Sequence, residues 1–218
     1  VDQLLCKEAY AVGYDYETKN SLWGVYYIIT KNANLDIIRD GSEPFFDDKE
    51  IPKEHRSTES DYDEPNYHLG HLVPYDSIDF NENSAYESFS MTNVSPQNGS
   101  LNQGAWKGLE NRERKFAQNE NDILMIVGSI FDNADSTIGK NKVVVPTHFY
   151  KIFYDPIKKR AISFILPNKA TYTKDLKYYI RSIDEIEERT QLNFLSELED
   201  KLEKTVENKR SKMWKSVF

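Results

Sequence analysis

Apolar and polar positions alternate along this chain in short runs rather than long ones. Residues 22–30 (LWGVYYIIT) are dense in β-branched and aromatic types and predict a central strand. After the turn-like Lys31-Asn32-Ala33-Asn34, Leu35–Arg39 reads as a second, shorter strand. Residues 41–66 are polar, acidic and proline-containing, and predict a long excursion; a loop beyond about 15 residues in a compact domain often carries function. Ser88–Asn93 reads as a short strand. Leu101–Gln118 reads as a helix, with Trp106, Leu109, Glu113 and Phe116 on successive turns. Leu124–Ile130, Lys142–Val145, Phe149–Tyr154 and Ala161–Leu166 are four more strand candidates, separated by Gly, Pro, Asn or Asp. Ser182, with Glu185 three residues on, has the capping-box pattern and opens a short helix to Arg189. Leu195–Arg210 alternates its charges and predicts an amphipathic closing helix, solvated on its outer face. The fold class expected is α+β, a central, mostly antiparallel sheet flanked by helices, in one domain spanning 1–218.

Composition narrows the class. The 218 residues are 39% hydrophobic and include 14 Tyr, 11 Phe and 3 Trp, which points to a folded globular protein rather than a disordered one. No apolar run approaches the ~20 residues of a bilayer span, so no membrane partner is expected. The formal charge of −8 weakens nonspecific attraction to phosphates. It does not exclude a nucleic-acid enzyme, because a bound cation reverses the local field of a site. The acidic residues cluster at Asp47-Asp48, Glu59–Glu64 and Asp184–Glu188. The single cysteine, Cys6, excludes an internal disulfide and a cysteine-based zinc site. No charged-plus-apolar leader is visible, and a start at Val1 is compatible with a processed, secreted form.

The candidate chemistry gathers around histidine, the natural general base near neutral pH. His55, His68 and His71 fall close together, and His148 lies apart. His71 sits in Tyr67-His68-Leu69-Gly70-His71-Leu72-Val73-Pro74. It is followed by Thr92-Asn93-Val94-Ser95-Pro96-Gln97 and then by Leu101-Asn102-Gln103-Gly104-Ala105-Trp106-Lys107-Gly108-Leu109-Glu110. This strand–loop–helix order resembles the ββα-metal, or His-Me finger, arrangement. The run from Asn93 to Glu110 resembles the DNA/RNA nonspecific endonuclease family almost continuously, and weaker similarity extends from about Tyr10 to about Leu198.

The resemblance implies a sugar-nonspecific endonuclease. It implies His71 as general base, Asn93 as the residue that orients it, and Asn102 as ligand of one divalent cation, Mg²⁺ or alternatively Mn²⁺. Such a cation needs few protein ligands, since waters and phosphate oxygens complete its shell. Glu110 lies eight residues beyond Asn102, about 80° around a helix and roughly 12 Å along it, and is expected to hydrogen-bond a cation-bound water. Arg114, one turn further, is expected to pair with Glu110 or reach a phosphate. His68 and Gln97 are candidate phosphate contacts. The family's Asp-Arg-Gly-His is here His68-Leu69-Gly70-His71, and the upstream stretch Glu43-Pro44-Phe45-Phe46 lacks a second arginine. A lost charge-assisted phosphate contact costs about 1.5–3 kcal/mol, so slowed or retuned activity is expected rather than none.

Other residues have plainer readings. His148 is expected to be structural, His55 a solvated loop histidine, Trp106 a core anchor, and Asp61, Asp63 and Glu64 solvated rather than calcium-binding. The partners expected are DNA and RNA, with a protein inhibitor or a homodimer as further options. The location expected is secreted or periplasmic, with cytoplasmic as the alternative. Two other functions stay open: a nucleic-acid-binding or regulatory protein with weakened catalysis on the same fold, and a partner-activated toxin or defence nuclease.

Overall fold

The computed structural model of the protein describes residues 1–35 and 44–214. The elements run β1 (Gln3–Cys6), β2 (Tyr10–Asp15), β3 (Asn20–Ile28), β4 (Tyr67–His71), α1 (Tyr75–Ile78), α2 (Glu82–Glu87), β5 (Val94–Asn98) and α3 (Gly99–Leu101). A π-helical turn (Asn102–Trp106) follows, then α4 (Lys107–Asn119), β6 (Ile123–Ile130), β7 (Thr137–Ile138), β8 (Val143–Val144), β9 (His148–Asp155), β10 (Arg160–Pro167), β11 (Ile180–Arg181), α5 (Ile183–Thr190) and α6 (Asp200–Glu207).

The main sheet has the order β1-β2-β3-β6-β9-β10-β11, and every pairing in it is antiparallel. Its inner strands read as nearly continuous apolar runs because both faces are covered. On one face Met125, Val127, Phe149, Phe153, Ile162 and Phe164 pack with Trp106, Leu109 and Phe116 of the long helix. On the other, Ile126, Ile152, Tyr154 and Ile165 pack with Ile183 and Ile186 of α5 and Val206 of α6. The expected α+β class is what forms, and the capping box at Ser182 and Glu185 forms as read. A separate ribbon, β4 with β5, carries His68 and His71 and is tied to the inner strands of the sheet, the Ser95 hydroxyl donating to Asn20 Oδ1 of β3 at 2.6 Å.

Several expectations need correction. Ser88–Asn93 is not a strand: Met91–Asn93 is a single helical turn, and the strand begins at Val94. Polar side chains in this stretch bond locally, with Ser90 and Thr92 hydroxyls 2.8 Å apart, and such bonds compete with a ladder. The closing helix covers only Asp200–Glu207; Leu195 adopts left-handed backbone (φ 51°), which keeps the helix from starting there. The strand read at Leu35–Arg39 lies, beyond Leu35, outside the described residues. Strands β1, β2, β7 and β11 and helices α1 and α2 have no counterpart in the sequence reading, and β4 entered it only through the strand–loop–helix order of the family resemblance. Among the described residues no helix is long and apolar enough to cross a membrane.

Candidate active site

Strand β4 ends on His71, which faces Val94 across the ribbon. A set of hydrogen bonds fixes the corner that follows. The Trp106 indole donates to the His71 carbonyl at 3.1 Å, tying helix to strand. The Leu72 N–H donates to the Asn93 carbonyl at 2.9 Å. The Asn93 side chain brackets Val73, accepting from its N–H and donating to its carbonyl, both at 2.9 Å, and donates again to the Ser88 carbonyl at 3.0 Å. Both amide hydrogens of Asn93 are thus spent on backbone. It holds the peptide two residues past His71 rather than the imidazole. The ring itself lies against Phe45 (centroids 5.3 Å apart) and edge-on to Phe89 (5.6 Å). Phe45 belongs to the upstream stretch that lacks the arginine.

The helix begins at Asn98, whose side-chain oxygen accepts from the N–H groups of Ser100 (3.1 Å) and Leu101 (3.3 Å). The π turn then inserts an extra residue, a distortion that recurs at functional sites. A neighbouring segment satisfies the backbone groups this displaces: Ala105 N–H donates to the Thr171 carbonyl at 3.1 Å, and the Thr173 hydroxyl donates to the Gly104 carbonyl at 3.0 Å. Only glycine permits that approach, since a Cβ at residue 104 would stand 2.7 Å from the Thr171 carbonyl oxygen.

The outcome is one cavity of about 260 Å³ lined by His71, Asn102 and Glu110, together with Asp76, Gln103 and Lys107. Asn102 brings an amide oxygen, and Glu110 and Asp76 bring carboxylates. This is a hard oxygen donor set suited to a small divalent cation. Burial pushes the Glu110 carboxyl up to about 7, with the Lys151 ammonium pulling the other way and Glu113 adding to the rise.

Other expected site residues land elsewhere. Arg114 does not turn to Glu110. It donates to Asn111 Oδ1 at 2.6 Å and lies 3.4 Å from Asp76, which is its acidic partner. His68 is three residues before His71 and so points to the other side of β4. It lines a second cavity, of about 450 Å³, with its imidazole against Gly99, and Gln103 borders both cavities. Gln97 is fully buried over Gly70 and lines neither, so a phosphate contact does not match its placement. Leu69 packs in an apolar cluster with Tyr62, Met91 and Val94.

The plainer readings fare as follows. Trp106 is fully buried, as a core anchor should be. His148 is held by Arg189 at 2.9 Å, and burial followed by the Arg189 charge pushes its pKa down. His55 is not simply solvated: its ring stacks on Tyr16 at 4.3 Å. Asp61 is buried, accepting from Asn141 at 2.9 Å and 2.8 Å and from Thr58. Sequence reasoning missed Asp76, Phe45 and the Thr171–Thr173 support, none of which carries a local signal. Lys107 lay within the motif and could have been named from its charge.

The profile of the DNA/RNA non-specific endonuclease family matches residues 1–201. Mitochondrial endonuclease G of Bos taurus is 29% identical over 209 residues, covering 89% of this chain and 70% of its own length. Nuclease C1 of Cunninghamella echinulata var. echinulata is 27% identical, covering 88% of this chain and 82% of its own. A chain in the crystal structure of the EndoG/EndoGI complex superposes with a TM-score of 0.84 at 23% identity, over 93% of this chain and 89% of that one, which shows a shared fold. With the profile spanning nearly the whole chain, the protein belongs to the DNA/RNA non-specific endonuclease family.

Proposed function

We propose that the protein, acting as one unit, hydrolyses phosphodiester bonds of DNA and RNA without strong sequence preference, with His71 as general base. The observation that carries this is the single cavity shared by His71, Asn102 and Glu110. His71 takes a proton from a water molecule. The water oxygen bonds to phosphorus as the bond to the 3′ oxygen breaks, leaving a 5′-phosphate, and the departing oxygen is protonated from solvent to a 3′-hydroxyl. Phe45, Phe89 and the Trp106 bond to the His71 carbonyl hold the imidazole in place for this transfer. Asn93 acts on the base through the backbone that follows it. Asn102, with Glu110 and Asp76 beside it, would hold one divalent cation, Mg²⁺ or Mn²⁺. When bound, that cation supplies neutralisation of the charge that builds on the phosphate and the leaving oxygen. With Leu69 standing in sequence where the family has its arginine, Lys107 of the cavity lining offers a phosphate contact instead, and His68 meets the nucleic-acid strand where it runs into the neighbouring cavity.

A protein inhibitor is proposed as a partner, because the structural relative is a chain of an EndoG/EndoGI complex. A location separate from the host's own nucleic acid follows from the activity.

The test incubates the purified chain with plasmid and with RNA, in Mg²⁺, Mn²⁺ or EDTA, beside His71→Ala. Cleavage that needs both a cation and His71 is expected. Cation-independent cleavage, or none with the wild type at any concentration, refutes the proposal; binding of nucleic acid without cleavage would favour the regulatory reading.

A further inference from the structure

On the face of the sheet away from the cleft, α5 and α6 bring three carboxylates together. Asp184 and Glu187 of α5 and Glu207 at the end of α6 each offer an oxygen within 4.8 Å of the others. Glu207 is only 5% exposed, and its Oε1 is buried with no hydrogen-bond partner. An ionised carboxylate is strongly disfavoured in such a place unless a counter-charge meets it, and two neighbouring acids make it worse. The nearby arginines do not supply that charge: Arg210 and Arg181 both turn to Glu185. Glu187 spends one oxygen on the Phe194 N–H at 2.7 Å. Beneath the carboxylates lies the apolar packing of Ile183, Ile186 and Val206, and among the described residues no Lys or Arg forms a salt bridge with any of the three.

We propose that Asp184, Glu187 and Glu207 form a second divalent-cation site, of the calcium class, that clamps α6 onto α5. Calcium takes six to eight oxygens in flexible geometry at about 2.3–2.6 Å, so oxygens sharing one ion can lie up to roughly 4.6–5.2 Å apart. Asp184 is exposed, which leaves one side open for waters to complete the shell. The site shares no residue with the catalytic cavity and rests on different observations.

The test titrates CaCl₂ into the metal-stripped full chain by calorimetry and follows thermal unfolding with and without calcium. It compares wild type, Asn102→Ala, Glu207→Gln and the pair Asp184→Asn with Glu187→Gln. Asn102→Ala, whatever cation it loses at the cleft, is expected to keep the calcium binding of this second site and, like the wild type, to be stabilised by it, the folding constant rising about 100-fold at a free concentration of about 100 times Kd. Glu207→Gln and the double variant should bind at least about tenfold more weakly and lose that gain. The double variant changes partly solvated side chains, so it carries the test if Glu207→Gln does not fold. Unchanged affinity in the double variant overturns the proposal. So does a wild type indifferent to calcium, with Glu207→Gln more stable than wild type in EDTA, because that marks a carboxyl simply buried with its proton.

Discussion

Lys151 lies on β9 between Phe149 and Phe153, on the buried face of the sheet beneath the active-site helix. Its Nζ is 2.9 Å from Glu113 Oε2 and 3.3 Å from the Tyr26 hydroxyl, and it rests 4.8 Å from the centre of the Trp106 ring. The other Glu113 oxygen accepts from Tyr26 (2.8 Å) and Ser77 (2.6 Å). The pair is therefore dry but well bonded, and it joins β9, α4, β3 and α1 under the cleft. Removing one partner strands the other charge. Glu113→Gln and Lys151→Met should each lower stability by about 3–5 kcal/mol, and the double variant by clearly less than the sum, read from urea unfolding. Additive losses would mean the two groups act separately. Glu110, one turn before Glu113, faces the cavity instead. Glu110→Gln is expected to keep the fold and to lose about 10–100-fold in cation affinity or activity; an unchanged rate at limiting Mg²⁺ would remove Glu110 from the site.

At the scale of elements, the helix carrying Asn102 is shaped by a segment far along the chain. The motif from Leu101 to Glu110 was legible as a helix, and its pattern singled out Asn102 and Glu110. The π turn was not legible, because the acceptor for the displaced Ala105 N–H is the Thr171 carbonyl, and nothing in the motif specifies that neighbour. Gly104→Ala tests the coupling. Its Cβ would press on the Thr171 carbonyl, so a loss of about 1–3 kcal/mol in stability is expected, along with a fall in kcat larger than any change in substrate KM. A variant with wild-type kcat would show that the seating of the turn does not govern the site. His68 and His71 look equivalent in sequence. Strand alternation separates them, and this could have been read once Tyr67–His71 was taken as a strand.

Over the whole molecule, polar ties anchor the long excursion to the sandwich. Asp48 is buried, 2.9 Å from Lys7 and 3.0 Å from both the Ser90 and Thr92 hydroxyls, so it links the chain after β1 to the stretch before β5. Burial works to raise its pKa, but the Lys7 ammonium and the Glu50 N–H outweigh that and hold the carboxyl below its usual 3.8. Asp61 is lowered likewise, with burial opposed and outweighed by Asn141 and Thr58. A carboxyl depressed in the folded state contributes stability above its unfolded value and loses it as pH falls through the folded value. The unfolding temperature of the wild type should therefore drop steeply below about pH 4. Lys7→Met should be less stable at neutral pH and should converge with wild type in acid, as followed by circular dichroism from pH 6 to 2. Parallel curves would mean that Lys7 does not hold Asp48 in its charged form.

What the sequence by itself determined is the class of fold, the capping of α5, and the pairing of a histidine strand with an asparagine-bearing helix. The first two rest on local periodicity and on residues close together in the chain, and the third on the family resemblance carried by the segments from Tyr67 to Glu110. Tertiary structure alone decided which groups share the cavity. Asp76 joins it, while Gln97 is buried and Arg114 turns to Asp76. It also decided that Lys151 is buried with Glu113 and that Glu207 meets Asp184 and Glu187. Each of these depends on which distant element packs alongside, and burial, not residue type, sets the charge and reach of a side chain there.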